Sequence, residues 1–287
     1  MPMPPETSKR PLVAQRWKRQ ALVSAALLTL LGSCMGPSAW HNWKAKQQRE
    51  RAYAMWQERC KKSGEFIHKT VENVEGVYLV NVRTTTNFGE QFELDDPYGH
   101  DSTDERYIQN FLRGYHHQRP RETPPGRDET PRIGYDFVEA FDPTDGKLYR
   151  FKGRVDQPWL RDKSYGEWVR EFVLDRTAIT QRTARYGVKF EDISTHEERE
   201  HWIAGSSLKV IDLQTQEVIA ERIGYMVDWA QGNRSGRRSP WLFAADNACP
   251  SFVPPHLVNQ GSYGSQSQAG QTLVFTEKVL KPSHREQ

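Results

Sequence analysis

The sequence predicts an α+β chain: an N-terminal membrane or signal segment and a stalk helix, then a mainly antiparallel β-sheet domain. Three observations predict it. A basic stretch followed by an apolar run opens the chain; residues 41–70 carry apolar side chains at helical spacing; and the rest is built of short β-branched and aromatic runs separated by Asp, Pro and Gly turns. These place the boundaries at 1–20 for a basic cytoplasmic n-region, 21–40 for the apolar segment, 41–70 for the stalk and 71–287 for the β-rich domain.

With 287 residues, 36% hydrophobic and 27% charged, the chain can bury one sizeable core and is neither disordered nor a multi-span membrane protein. The formal charge of +3 is unevenly spread: residues 1–60 hold ten Lys/Arg against three Asp/Glu, leaving thirty against thirty-four in the remainder. Nucleic-acid binding needs a concentrated basic face, and the basic excess here surrounds the apolar segment instead. No nucleic-acid partner is expected.

In that segment Lys9, Arg10, Arg16, Lys18 and Arg19 precede the run from Ala21 to Leu31, the pattern of a positive n-region and a secretory h-region. Two readings fit the residues after Leu31. Leu31-Gly32-Ser33-Cys34 has the small residues before cysteine of a bacterial lipobox, with Cys34 lipidated as the mature N-terminus. Alternatively the span runs on to Trp40, about twenty residues and enough to cross a membrane uncleaved, with Trp40 and Trp43 at the interface. Gly32, Ser33, Gly36, Pro37 and Ser38 weaken the span, and Lys44, Lys46, Arg49 and Arg51 in helical pattern weaken the lipobox. Both readings tether the chain to a membrane and place the soluble domain in the periplasm.

Three cysteines are an odd number for an oxidising compartment. With Cys34 in or at the membrane, Cys60 and Cys249 remain as a pair, for which an oxidising compartment favours a disulfide over two unpaired thiols buried as small hydrophobes. They show no C-x-x-C spacing and no histidines at ligand distance, so zinc is a poor fit. A bridge closing a loop of this length contributes roughly 3 to 5 kcal/mol in the chain-entropy treatment.

Along the domain, Trp43, Tyr53, Trp56, Cys60 and Ile67 mark the buried stripe of the stalk. Val77 to Val82 reads as a strand. Tyr135 to Phe141 and Lys147 to Lys152 flank Asp142-Pro143-Thr144-Asp145-Gly146, a hairpin turn in which Pro presets φ and Gly accepts positive φ. A second hairpin joins Trp202 to Ile211 with Val218 to Val227. Trp168 to Leu174, Ile179 to Val188 and Thr272 to Leu280 are further candidate strands, and an antiparallel meander is the economical arrangement. Tyr115 to Arg132, Gln231 to Pro240 and Gly261 to Gln271 read as long polar loops.

Catalytic patterns fail on spacing. His196 and His201 are five residues apart, so on a helix the second is rotated about 140° from the first and cannot share a metal with it. Thr195 as N-cap, with Glu197 and Glu198 complementing the dipole, explains that turn without metal. Ser206 and Lys209 fit Ser-x-x-Lys but fall in a strand, where that chemistry needs a helix turn. Asp95, Asp96, Asp101, Asp104 and Glu105 lack calcium-loop spacing. His116 and His117 lie in a Pro-rich loop. No cofactor or metal site is expected.

The stretch Cys60-Lys-Lys-Ser-Gly-Glu-Phe-Ile-His-Lys-Thr-Val-Glu-Asn-Val-Glu-Gly76, with the region from Arg222 to Cys249-Pro250, resembles segments of uncharacterised membrane-anchored envelope proteins of proteobacteria. The resemblance covers about a fifth of the chain. It implies an anchored, exported domain with a cysteine after the stalk, and supplies no substrate or site.

Two function classes are compatible with this reading. One is a non-catalytic envelope module binding a protein or glycan partner, with Trp159, Trp229 and Trp241 as anchors. The other is a hydrolase of envelope material, which requires carboxylates or histidines converging in a pocket.

Overall fold

A computed structural model of the chain describes residues 36, 39–85, 97–113, 134–169, 171–253 and 268–283. The chain divides into two units, Met1–Glu50 and Arg51–Gln287. In the first, residues 39–50 are helical and exposed, with the Trp40 and Trp43 rings stacked 5.1 Å apart. The apolar run from Ala21 and Cys34 lie outside the described residues, and within them no helix is long and apolar enough to cross a membrane.

The second unit opens on helix α1, residues 51–60, so the helix ends ten residues before the predicted stalk does. The helix stops where Ser63 and Gly64 weaken its propensity, and the Ser63 hydroxyl donates to the Cys60 carbonyl (2.8 Å). Residues 64–67 then form strand β1 (Gly64–Ile67) on the edge of a large sheet. The remaining elements are β2 (Val71–Val74), β3 (Gly76–Leu79), α2 (Asp104–Leu112), β4 (Phe137–Phe141), β5 (Leu148–Asp156), β6 (Glu171–Ala178), β7 (Tyr186–Asp192), α3 (His196–Glu200), β8 (Ile203–Asp212), β9 (Glu217–Val227), α4 (Pro240–Ala244), β10 (Ala248–Cys249), α5 (Gln271–Val279) and β11 (Leu280–Pro282).

The fold is α+β with a nine-stranded mixed sheet ordered β1-β9-β8-β7-β3-β4-β5-β6, and β10 also pairs β9. Both expected hairpins are present, as β4–β5 and β8–β9, but a single meander is not the arrangement. Two three-stranded antiparallel meanders, β4-β5-β6 and β7-β8-β9, flank β3, which runs parallel to both β4 and β7. A parallel neighbour requires a crossover. The chain between β3 and β4 supplies it and includes α2, whose Tyr107, Ile108, Phe111 and Leu112 are buried.

Register sorts the sheet into two faces. Val77, Leu79, Val138, Ala140, Val188 and Val210 lie on one, and α2 and α5 pack there to make the main core. On the other, Ala52 of α1, with Met55 and Trp56 beside it, covers Ile203, Tyr225 and Val227. Further along that second face stand Lys189, Glu191, Lys209 and Glu221, partly exposed and ion-paired, so the strands alternate apolar and polar as a half-wet sheet requires.

Three predicted strands are corrected. Residues 271–279 are helix α5, not strand. The run is rich in β-branched residues, yet Thr272, Leu273, Phe275, Thr276 and Val279 form a helical buried stripe. The helix is capped from a distant segment: Asp101 accepts from the Gly270 and Thr272 amides (2.6 and 3.0 Å) and the Thr272 hydroxyl (2.6 Å). Residues 179–185 are a connection, and β7 begins only at Tyr186. The amides of Thr183 and Ala184, which a strand would offer to a neighbour, go to the Glu139 carboxylate instead (2.8 and 2.9 Å). Finally, β6 begins at Glu171, so Trp168 belongs to a loop.

Candidate functional site

Cys60 and Cys249 pair as a disulfide, their Cα atoms 5.5 Å apart across 189 residues of sequence. Their segments meet on one edge: β1, just after Cys60, and β10, which contains Cys249, lie end to end along β9. Cys34, His116 and His117, Asp95 and Asp96, all of Tyr115 to Arg132 and most of Gly261 to Gln271 lie outside the described residues.

The motifs that fail on spacing have structural roles. Thr195 caps α3 through a capping box with Glu198. His196 pairs with Glu200 at 3.2 Å, and the His201 ring meets the Glu197 carbonyl at 2.9 Å. Among the described residues no group of three or more His, Cys, Asp or Glu could hold a metal. Ser206 and Lys209 lie on opposite faces of β8, and Lys209 pairs with Glu191. Asp104 and Glu105 stand in the first turn of α2, while Asp101 is the α5 cap.

Acid–base catalysis needs a carboxylate with a lone pair left for substrate. Among the described residues, the five buried carboxylates are each engaged by structural donors. Glu139 accepts from Arg150 (3.1 and 2.7 Å), the Thr183 amide and hydroxyl and the Ala184 amide. Burial pushes its carboxyl up, but the bonds from Ala184, Arg150 and Thr183 outweigh that and hold it below the usual glutamate value. Glu198 accepts from Arg59 of α1 and from the Thr195 amide. Asp101 also takes the Ser102 amide at 2.8 Å. Asp212 is gripped by Arg185 (3.1 and 2.7 Å) and the Gln214 amide, and the Arg185 bond holds it below the usual aspartate range. Asp228 organises its loop through Arg238 and the Ala230 and Gly232 amides.

The expected tryptophan anchors divide. Trp241 is 4% exposed and packs on Trp202 (4.9 Å), and Trp229 is wedged between Tyr53 and Trp56 (5.4 Å each). Both are packing residues. Trp159 is half-buried under Lys163, whose Nζ lies 4.9 Å from the ring, at the base of the loop joining β5 to β6.

That loop holds the outward surface that sequence reading missed. Trp168 (71% exposed) and Leu160 (60%) are the two most exposed large apolar side chains among the described residues, and Tyr165 (44%) lies between them in sequence. The loop is built rather than slack. A short 3₁₀ turn, Pro158–Leu160, starts it; Arg161 grips Asp156 with two bonds (2.9 and 2.5 Å); and Asp162 accepts from the Ser164 amide at 2.9 Å. The Trp168 indole lies over Gly166, where a Cβ would come within 2.4 Å of its Nε1. Glycine lets the ring rest on backbone while most of its surface stays in water. In sequence, the Asp162 and Gly166 turn residues were the available signal, masked by reading Trp168 as the start of a strand.

Compared with models of protein families, with curated proteins and with solved structures, the chain matches none.

Proposed function

We propose that this protein is a non-catalytic, membrane-tethered envelope module that binds a protein partner through the β5–β6 tip. The observation that carries the reading is the pair Trp168 and Leu160, held outward on a fastened loop. A large exposed apolar side chain costs solubility and marks contact surface when several occur together. Trp, Tyr and Arg dominate binding energy at protein interfaces, and Trp168, Tyr165 and Arg161 occur within eight residues here. Engagement of the buried carboxylates by structural donors disfavours the hydrolase alternative. The basic-then-apolar N-terminus supports tethering through residues 21–40, by lipid on Cys34 or by an uncleaved span, with the domain in the periplasm.

The test is photo-crosslinking in intact cells of the full chain with benzoylphenylalanine at position 168 or 160, and at exposed Phe141 as control. A discrete protein adduct from 168 and 160, absent from 141, is expected. The same weak, diffuse pattern from all three positions overturns the reading, and sedimentation of the chain with isolated peptidoglycan, abolished by Trp168→Ala, replaces it with a glycan partner.

A further inference from the structure

The helical segment 39–50 carries a surface separate from the β5–β6 tip. Every residue in it is exposed, and Trp40 and Trp43, each 53% exposed, stack with their rings 5.1 Å apart and 19° from parallel. At 3.6 residues per turn, Trp40, Trp43, Lys44 and Gln47 fall on one side of the helix. Lys44 Nζ lies 5.1 Å from the centre of the Trp40 ring, so the side that presents two indoles also presents a cation. Lys46 and Arg49 add two more, and Glu50 is the one acid of the segment. Glu50 meets Lys46 at 3.8 Å with both side chains more than half exposed, a pairing that neutralises little in water.

Exposed indoles beside cations match a surface that is both apolar and anionic. Tryptophan favours the boundary between hydrocarbon and headgroup, where its ring leaves water while its N–H still finds an acceptor. Lys and Arg gain from the negative potential of a leaflet that holds anionic lipid. Position in the chain points to the same surface, because the segment follows closely on the apolar run from Ala21 to Leu31. The charge of the rest of the chain is opposite: beyond residue 60 there are thirty Lys/Arg against thirty-four Asp/Glu. Charge therefore favours this helical segment over the domain as the part that touches a negative leaflet.

We propose that residues 39–50 dock on the headgroups of anionic phospholipids, with the Trp40 and Trp43 indoles in the headgroup layer and Lys44, Lys46 and Arg49 on lipid phosphates. The proposal rests on the tethering through residues 21–40 and goes beyond it: a tether holds in any bilayer, whereas this contact needs negative lipid.

The test uses the full chain reconstituted with vesicles of phosphatidylcholine alone, or of phosphatidylcholine mixed with phosphatidylglycerol, and reads flotation and amide hydrogen exchange. Flotation with both lipids is expected from the tether. Each cation near a negative leaflet favours the bound state about fivefold, so exchange across residues 39–50 slows about tenfold or more on the mixed vesicles relative to phosphatidylcholine. Exchange in β8 is the same on both. Lys44→Gln, Lys46→Gln and Arg49→Gln together remove the slowing and keep flotation; these side chains are exposed, and glutamine is a good helix former. Flotation with both lipids but equal exchange on them overturns the proposal and leaves the tether standing. Undiminished slowing in the triple variant also overturns it. No flotation with either lipid overturns the tether and the proposal together.

Discussion

Replacing Glu139 by Gln tests a carboxylate clasped by five hydrogen bonds. The side chain is 0% exposed on β4, and its two oxygens accept five bonds, three on Oε1 and two on Oε2. Glutamine keeps the shape but turns one oxygen into an amide that donates. In either orientation that amide faces donors: the Thr183 and Ala184 amides, or Arg150 and the Thr183 hydroxyl. Arg150, 29% exposed, can regain water, whereas the two backbone amides cannot do so as readily. Unmade buried bonds cost about 1–3 kcal/mol each, and breaking a buried pair on one side about 3–5 kcal/mol. We therefore expect a loss of about 3–5 kcal/mol, or roughly 10 °C in melting temperature for a domain of this size. Urea titration at pH 7 measures it, with Glu221→Gln on the open face as a control losing less than about 1 kcal/mol. The pH dependence has a definite sign. Because the folded carboxyl is held below its ordinary value, its contribution is fully present above that value, about 4.3. It fades as pH falls through the folded value, so wild type and variant converge in acid. A loss within about 1 kcal/mol of zero at pH 7, or a gap that widens in acid, refutes the reasoning.

Three other outcomes are expected. Phe111→Ala, at a ring 1% exposed between α2 and the sheet, costs about 3–5 kcal/mol by calorimetry through lost burial and a residual cavity. Protein purified without reductant yields no alkylatable thiol at Cys60 or Cys249 after denaturation, and reduction lowers its stability by about 3–5 kcal/mol; two free thiols at these positions count against the bridge. Replacing His196 and His201 together leaves bound metal and melting temperature unchanged, because neither belongs to a metal-holding group among the described residues; zinc found in stoichiometric amount by elemental assay of the wild type and lost in the variant contradicts this.

Local signals in the sequence matched the structure, and distant partners decided where they did not. The turn at Asp142 to Gly146 was readable because its chemistry is self-contained: Asp142 accepts from the Thr144 amide, Gly146 has φ +65°, and the arms pair as β4 and β5. The α3 capping box was readable for the same reason. The run at 271–279 has strand-like composition and becomes helix because Asp101, about 170 residues away, supplies its cap. Likewise, residues 179–185 have strand composition but spend their amides on Glu139. The β5–β6 tip was hidden by a different confusion. Aromatic residues score as strand formers, so Trp168 was absorbed into β6, and only the fold shows that Gly166 lays its ring on the loop instead.

The two edges of the main sheet are treated differently, and the difference bears on the binding surface proposed above. An unpaired edge invites pairing with another chain, so edges are covered or charged. On one side β9 is covered by β1 and β10, with the bridge from Cys60 to Cys249 joining the two segments and Arg59 of α1 reaching Glu198. That edge is tied to α1 and α3 through the disulfide and the Arg59–Glu198 contact. On the other side β6 has no further strand partner among the described residues and carries charge, with Asp175 meeting Arg154 at 2.9 Å and Arg176 meeting Asp142 at 2.8 Å. The tip extends from this open side, fastened at its base by Arg161 and Asp156, both within the β5–β6 hairpin. Its exposed side chains, Leu160, Tyr165 and Trp168, can therefore be altered without disturbing the disulfide edge or the α2 and α5 core. A binding surface placed there is free to vary with its partner while the scaffold stays fixed.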